Sequence, residues 1–476
     1  MSMPARTEPS IVRCAAMPAN TPHVPVAIVG AGACGLTAAL ALADAGIECV
    51  VLERDAQPQG STALSSGFIP AAGTLAQRAA GVADSADAFA ADITAKAHGT
   101  AAAHLVRAYT EAIAPALDAL QQRHGLQWDV LDGFLYPGHG ARRMHALPER
   151  TGAALMAALD RAAAQAGVAV MPRARVVTLH CDEHEHEPAN TRVLGVGIER
   201  PDGHIEHLGC DVLLLACNGF GGHAGLVDEL LPAMRGAAYA GHAGNDGSAL
   251  QWGRQLGARL ADLGGYQGHG SWVVPQGALM TWAVMMEGGV QVNREGRRFH
   301  DETQGYSEAA VQVLAQPGGT AWNVFDERLL ALARGFPDFC AAEAAGALRG
   351  AADLAQLAAV IGCDTGELAA TLAAVRSGHT GAFGRRFTRS LAAPYCAVKV
   401  TGALFHTQGG LAIDAQCRVL GAEGRAFPNL LAAGGAARGV SGNAVWGYLS
   451  GNGLLSAVAG GWIAAATAAS LLTRDG

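Results

Sequence analysis

The segment Gly30-Ala31-Gly32-Ala33-Cys34-Gly35 lies between an apolar run at 24–29 and an Ala/Leu-rich stretch. No other feature constrains the fold as tightly. A G-x-G-x-x-G turn between a strand and a helix gives each glycine a task. Gly30 makes the tight turn, Gly32 lets backbone approach a pyrophosphate, and Gly35 lets helix and strand pack closely. The phosphates then meet the backbone around Ala33, at the positive end of the helix. A second strand over 48–53 ends on Glu53, near the offset of about 20 residues at which an acid accepts hydrogen bonds from a ribose diol. Arg54 follows it. The unit is β-α-β and its expected ligand is a dinucleotide.

At 476 residues the chain exceeds a single core, and two domains are expected. Residues 1–23 carry four prolines and no signal-peptide pattern, so they read as a flexible tail. Strand and glycine signals fill 24–261 and return over 395–476. The stretch 262–394 has the aromatic and polar character of an insertion. The expected fold class is α/β: a Rossmann-like domain interrupted by an α+β substrate, or capping, domain. Three further segments fit FAD better than NAD: a second adenine-contacting strand from Ala174 through Val176 to Val177, the strand opening into Asn218 and Gly219, and the strand end Ala432-Ala433-Gly434-Gly435. Ser61, Thr62, Ser65, Ser66, Gly67, Asp246, Gly451, Asn452 and Leu454 are further cofactor-binding candidates.

A formal net charge of -8 with no basic cluster argues against nucleic acid as a partner. The 10 cysteines form no C-x-x-C pair, which suits a reducing cytoplasmic setting and no haem. The apolar stretch 454–472 reads as a buried helix of the cofactor domain, with a membrane contact as the alternative; no integral membrane association is expected. The run 180–187, rich in His, Asp and Glu, reads as a solvated loop, and no metal is expected. Oligomeric state stays open.

Over roughly 25–476 the chain resembles the flavoprotein family of soluble fumarate reductases and 3-ketosteroid dehydrogenases. The motifs that carry this are GAGACGL, QGSTALSSGFI, LLACNGFGG, AGNDGSAL, VNREGRRFHDE and VTGALFHTQGGLAID…FPNLLAAGGAARGVSG…SGNGL. Members with covalent flavin have a histidine where this chain has Ser61, Thr62, Ser65 and Ser66, so the resemblance implies noncovalent FAD.

The fumarate-reductase branch grips a dicarboxylate with histidines, a Thr-Glu pair and arginines, whose planar forks match carboxylates. His269, Thr281 and His406 match that pattern. Trp282 replaces its glutamate, Met285 one arginine, Tyr306 the acid arginine, and Tyr448 stands at or beside the last arginine. The resemblance therefore shifts to the ketone-desaturating branch. There a tyrosine like Tyr306 removes the proton beside a ketone, one like Tyr448 polarises the carbonyl, and Tyr136 is a further tyrosine of weaker match. Tyrosine is a donor when neutral and a base when ionised, and with a reference pKa of ~10 it needs positive neighbours to act as base. His269, His406 and Arg298 are the expected helpers, and Arg142 or Arg143 could meet a substrate carboxylate. The expected function is an FAD-dependent dehydrogenase placing a C=C bond next to the carbonyl of a cyclic ketone. The ring is an oxocyclohexanecarboxylate-like one or a 3-ketosteroid, and the electron acceptor oxygen or a quinone. The alternatives are an enoate reductase of the fumarate-reductase type and a non-catalytic flavin redox subunit.

Overall fold

The computed structural model describes residues 7–132, 135–183 and 190–474. The near-continuous apolar run His23–Val29 forms a central parallel strand, as expected of a strand buried on both faces. It pairs in parallel with Cys49–Leu52 on one side and Ile205–Leu215 on the other. Ala169–Met171 extends the first edge and Ala426–Ala432 joins Ile205–Leu215, both in parallel. Val193–Glu199 pairs antiparallel with Arg175–Cys181 on one side and with Ile205–Leu215 on the other. The turn at Pro201-Asp202-Gly203 closes as its sequence demands, with Gly203 at φ +86° and the Arg200 N–H donating to the His204 carbonyl at 3.0 Å.

The segment expected as tail is corrected in part. Ser10–Arg13 forms an edge strand parallel to residues Thr178–Cys181. Its Ser-Ile-Val-Arg sequence places β-formers against an open edge, which outweighs the prolines on either side.

The chain folds as two compact units. The first comprises Met1–Leu231, Gly241–Tyr266 and His406–Gly476, and the second Pro232–Ala240 and Gln267–Phe405. Among the described residues, the first holds a sheet of nine strands; the second holds a sheet built around Tyr395–Thr407, antiparallel to Thr320–Asp326, with helices attached.

In the first unit, helix Ala33–Asp44 packs on the long helix Asn452–Arg474. Small residues permit the approach: a Cβ on Gly461 would stand 2.3 Å from the Cys34 carbonyl oxygen. Asn452–Thr473 is long and apolar enough to cross a membrane by length and composition, and half of its apolar window is buried in the fold. Its buried positions Leu455, Val458, Ala459, Ala464, Ala465 and Ala468 belong to the main core.

The contact between the first strand's turn and its helix is backbone to backbone. A Cβ on Gly35 would lie 1.9 Å from the Gly30 carbonyl oxygen. Gly35→Ala is expected to destabilise the fold by about 1–3 kcal/mol, the range for overpacking, and to lower FAD occupancy. Denaturant unfolding with and without flavin tests this; wild-type stability and full occupancy would contradict it.

Candidate functional site

In the first unit, Gly30 has φ +107°, a conformation glycine tolerates, and a Cβ there would meet the Ala216 carbonyl oxygen at 2.6 Å. Gly32 caps helix Ala33–Asp44 with no side-chain bond to the helix end. A Cβ at Gly32 would find only the Thr62 hydroxyl, at 3.5 Å. The Thr62 hydroxyl accepts from the Ala33 N–H at 3.0 Å. A helix N-terminus whose N-cap residue offers no side chain, beside open space, fits a pyrophosphate.

Glu53 is buried, and its two oxygens accept from the N–H groups of Ala31 and Asp55, each at 2.9 Å. Burial pushes its pKa up, against the pull of those two bonds. Its remaining lone pairs suit a ribose diol. Arg54 donates to the Gly244 carbonyl at 2.8 Å and to Asp246 at 3.0 Å, tying the end of the second strand to the 241–250 segment. The other Asp246 oxygen accepts from the Ser248 N–H and hydroxyl. Ser61 receives the side-chain amides of Asn218, at 3.0 Å, and Asn245, at 2.8 Å. Ser65 donates to the Thr62 carbonyl at 2.7 Å and accepts from the Gly67 N–H at 3.1 Å, while Ser66 is half-buried. Val176 is buried in its strand. A Cβ on Gly219 would strike the Thr407 hydroxyl at 1.9 Å, on Gly434 it would touch Cys34 at 3.3 Å, and on Gly451 Pro70 at 2.5 Å. Along the first turns of Asn452–Arg474, Asn452 Oδ1 and Ser456 Oγ are buried without a partner, beside half-buried Leu454. Buried polar atoms of this kind call for a ligand's polar edge. The donor set and the open cradle fit a flavin dinucleotide.

His406 is the next-to-last residue of the strand Tyr395–Thr407, and its ring lies edge-on to that of Tyr448 at 5.5 Å. The Tyr448 hydroxyl and His406 Nε2 are 3.5 Å apart. Burial pushes the His406 pKa down to about 4. Tyr136 is half-buried and tilted against Phe68 at 6.5 Å.

In the second unit, helix Tyr306–Leu314 rests on three glycines of the sheet. A Cβ on Gly268 would lie 2.8 Å from Ala310 Cβ, on Gly270 2.6 Å from Ala309 Cβ, and on Gly402 2.3 Å from the Ala310 carbonyl oxygen. His269 sits between two of these glycines. The close approach stacks the Tyr306 ring on His269, with centroids 4.8 Å apart at 17°. Trp282 meets His269 edge-on at 5.7 Å, and Phe405 tilts against it at 5.7 Å. The Ser271 N–H donates to His269 Nδ1 at 3.1 Å, so the neutral ring carries its proton on Nε2. Burial pushes the His269 pKa down to about 3. Thr281 accepts from the Ala283 N–H at 3.3 Å, and Met285 is fully buried.

Glu302 anchors the segment that leads into Tyr306. Its carboxylate takes Arg298 through Nε at 2.9 Å and Nη2 at 2.6 Å, Arg385 at 2.8 Å and the Gln291 N–H at 3.1 Å. Its carbonyl accepts the Trp282 indole N–H at 3.1 Å. Burial would push the Glu302 pKa up, but the Arg298 hydrogen bonds and the two guanidinium charges hold it below the usual carboxylate range.

These observations correct three expectations. His269 and His406 are neutral at physiological pH and bring Tyr306 no positive charge. Arg298 is committed to Glu302 and stacks over Phe387 at 5.0 Å. Arg143 is buried between Asp84 and Asp92 and is not available to a substrate carboxylate. The run 180–187 lies partly outside the described residues; His180 is in a strand, with Nε2 3.1 Å from His207 Nδ1. Sequence reasoning missed Arg385, which has no motif around it. It also missed Asn245 and Gln408, which stand inside quoted motifs but were not singled out.

A family model described as an FAD binding domain matches residues 25–454. The chain is 29% identical over 475 residues to a probable fumarate reductase of Shewanella frigidimarina, covering 96% of this chain and 76% of that one. It is 27% identical to 4-oxocyclohexanecarboxylate 2-dehydrogenase of Sinomonas cyclohexanicum, covering 86% and 87%. Among solved structures, the open conformation of a flavocytochrome c3 fumarate reductase superposes with a TM-score of 0.79 at 26% identity, covering 95% of this chain and 79% of that one.

The depressed pKa of His269 predicts a pH effect on stability. The unfolded imidazole takes a proton near pH 6.5, while the folded one stays neutral down to about 3. Below 6.5 the unfolded state therefore binds more protons, and stability falls as pH falls toward 3. His269→Gln is expected to flatten this loss in urea unfolding between pH 7.5 and 4.5; an unchanged slope would contradict it.

Proposed function

This chain belongs to the FAD binding domain family and is an FAD-dependent oxidoreductase akin to fumarate reductases, and on that premise we propose that it desaturates a cyclic ketone next to the carbonyl. One observation carries the reading. Tyr306 stacks on a neutral histidine amid Trp282 and Phe405, while Arg298 and Arg385 are both committed to Glu302. An aromatic wall whose nearby guanidiniums are already paired suits a ring better than a small dianion.

Tyr306 removes the proton from the carbon beside the carbonyl. The Tyr448 hydroxyl donates to the carbonyl oxygen and stabilises the developing enolate. His406 backs Tyr448, and His269 holds the plane of Tyr306. Tyr306 is the first residue of its helix, where the dipole favours an anion; the acidic residue of that turn, Glu308, acts against it. When bound, FAD would supply the acceptor for the hydride of the β carbon. The proton on Tyr306 and the hydride together account for the two hydrogens lost as the C=C bond forms. FAD is held noncovalently, since 60–67 offers hydroxyls and no histidine. The electrons leave to oxygen or a quinone. An oxocyclohexanecarboxylate-like ring is the leading substrate, in line with the Sinomonas relative, and a 3-ketosteroid is the larger alternative.

The higher identity to a probable fumarate reductase favours a second reading, an enoate reductase running the chemistry backwards. In that case Tyr306→Arg should raise activity with fumarate, and no gain would leave it unsupported.

Tyr306→Phe is expected to keep FAD bound and slow flavin reduction by the ketone at least ~100-fold, the low end for a general acid–base group. Anaerobic stopped-flow measures it; a near wild-type rate would remove Tyr306 from the mechanism.

A further inference from the structure

We infer that Gln408 is a positioning residue: its amide, oriented by Ser441 and Asn452, holds His406 as the Nε2–H tautomer, so that His406 donates toward Tyr448. The catalytic consequence rests on the proposed role of Tyr448; the tautomer itself does not.

His406 Nδ1 has two neighbours that demand opposite states. The Gln408 amide nitrogen lies 3.2 Å away and needs a bare nitrogen; the Thr407 carbonyl lies 3.4 Å away and needs a protonated one. The orientation of the Gln408 amide decides between them. Its Oε1 accepts from the Ser441 hydroxyl at 2.8 Å, and Ser441 in turn accepts from Asn452 Nδ2 at 3.0 Å. A hydroxyl has one proton. With Asn452 donating to it, Ser441 sends that proton to Gln408 Oε1, which turns the Gln408 nitrogen to His406.

Reversing every bond in the chain would make Nδ1 the protonated atom. It would also turn the amide N–H groups of Asn452, instead of its oxygen, to the buried position that no protein group pairs. Orphaned buried backbone N–H groups are rarer than under-satisfied carbonyls, and the same preference favours the orientation with the Asn452 oxygen there. Backbone fixes Gln408 as well: its N–H donates to the Gly265 carbonyl and its carbonyl accepts from the Gly439 N–H, each at 2.8 Å. Gln408, Ser441 and Asn452 are all buried, so the bonds act at low dielectric. The Tyr448 oxygen then accepts from His406, and the phenol directs its own proton to another acceptor. In the proposed reaction that acceptor is the substrate carbonyl. The 3.5 Å separation is of the kind that tightens when substrate binds.

The test is long-range 1H–15N correlation NMR on FAD-loaded enzyme with 15N-labelled histidine and no substrate, His406 being assigned by loss of its signals in His406→Asn. The wild type should show the Nε2–H tautomer at pH 7. Gln408→Glu replaces the donor with an acceptor and should move the proton to Nδ1. Gln408→Met, of similar shape but without a donor, should shift the population toward Nδ1–H facing Thr407. An Nδ1–H tautomer in the wild type, or an unmoved Nε2–H in both variants, would overturn the inference. Neither result depends on which substrate the enzyme takes, so a failure here is separable from a failure of the ketone reading.

Discussion

Backbone resting on backbone at glycine is the constraint on which both units depend. In the first, Gly30 and Gly35 bring strand and helix into direct contact and leave the helix N-terminus beside open space at Gly32. In the second, Gly268, Gly270 and Gly402 let helix Tyr306–Leu314 settle on its sheet, and that depth brings the Tyr306 ring onto His269. A methyl group at any of these positions other than Gly32 would lie under 3 Å from a neighbour. Chemistry-bearing side chains are thus located by residues that have none.

Polar groups then hold the geometry. Glu302 neutralises one of two buried guanidiniums and fixes Trp282 through its carbonyl. A buried pair of this kind is costly to break, about 3–5 kcal/mol when one partner is removed. In the first unit Ser61 collects two side-chain amides, and Glu53 closes the glycine turn through Ala31. The histidines contribute as neutral rings with assigned protons. A neutral His269 with its proton on Nε2 can donate a hydrogen bond and shape a wall, but it lends no charge.

The cofactor half was legible in the sequence because its signals are local. The glycine spacing, the acid at Glu53 and the order of strands all follow from short-range rules, and the family match over residues 25–454 agrees with them. The second half was legible only as a pattern of replaced arginines. Nothing in the local sequence at Arg385 foretells a bond to Glu302, 83 residues away in the chain. The charge state of His269 and His406 depends on burial, which spacing does not carry. The edge strand Ser10–Arg13 was missed because prolines around it read as a tail, whereas its pairing partner lies far along the chain.

The most direct test of the account is anaerobic mixing of the oxidised holoenzyme with 4-oxocyclohexanecarboxylate and, separately, a 3-ketosteroid, following the flavin's visible absorbance. The account predicts bleaching by one of these ketones and formation of the matching enone. No bleaching by either, with dithionite-reduced flavin instead reoxidised by fumarate, would contradict it.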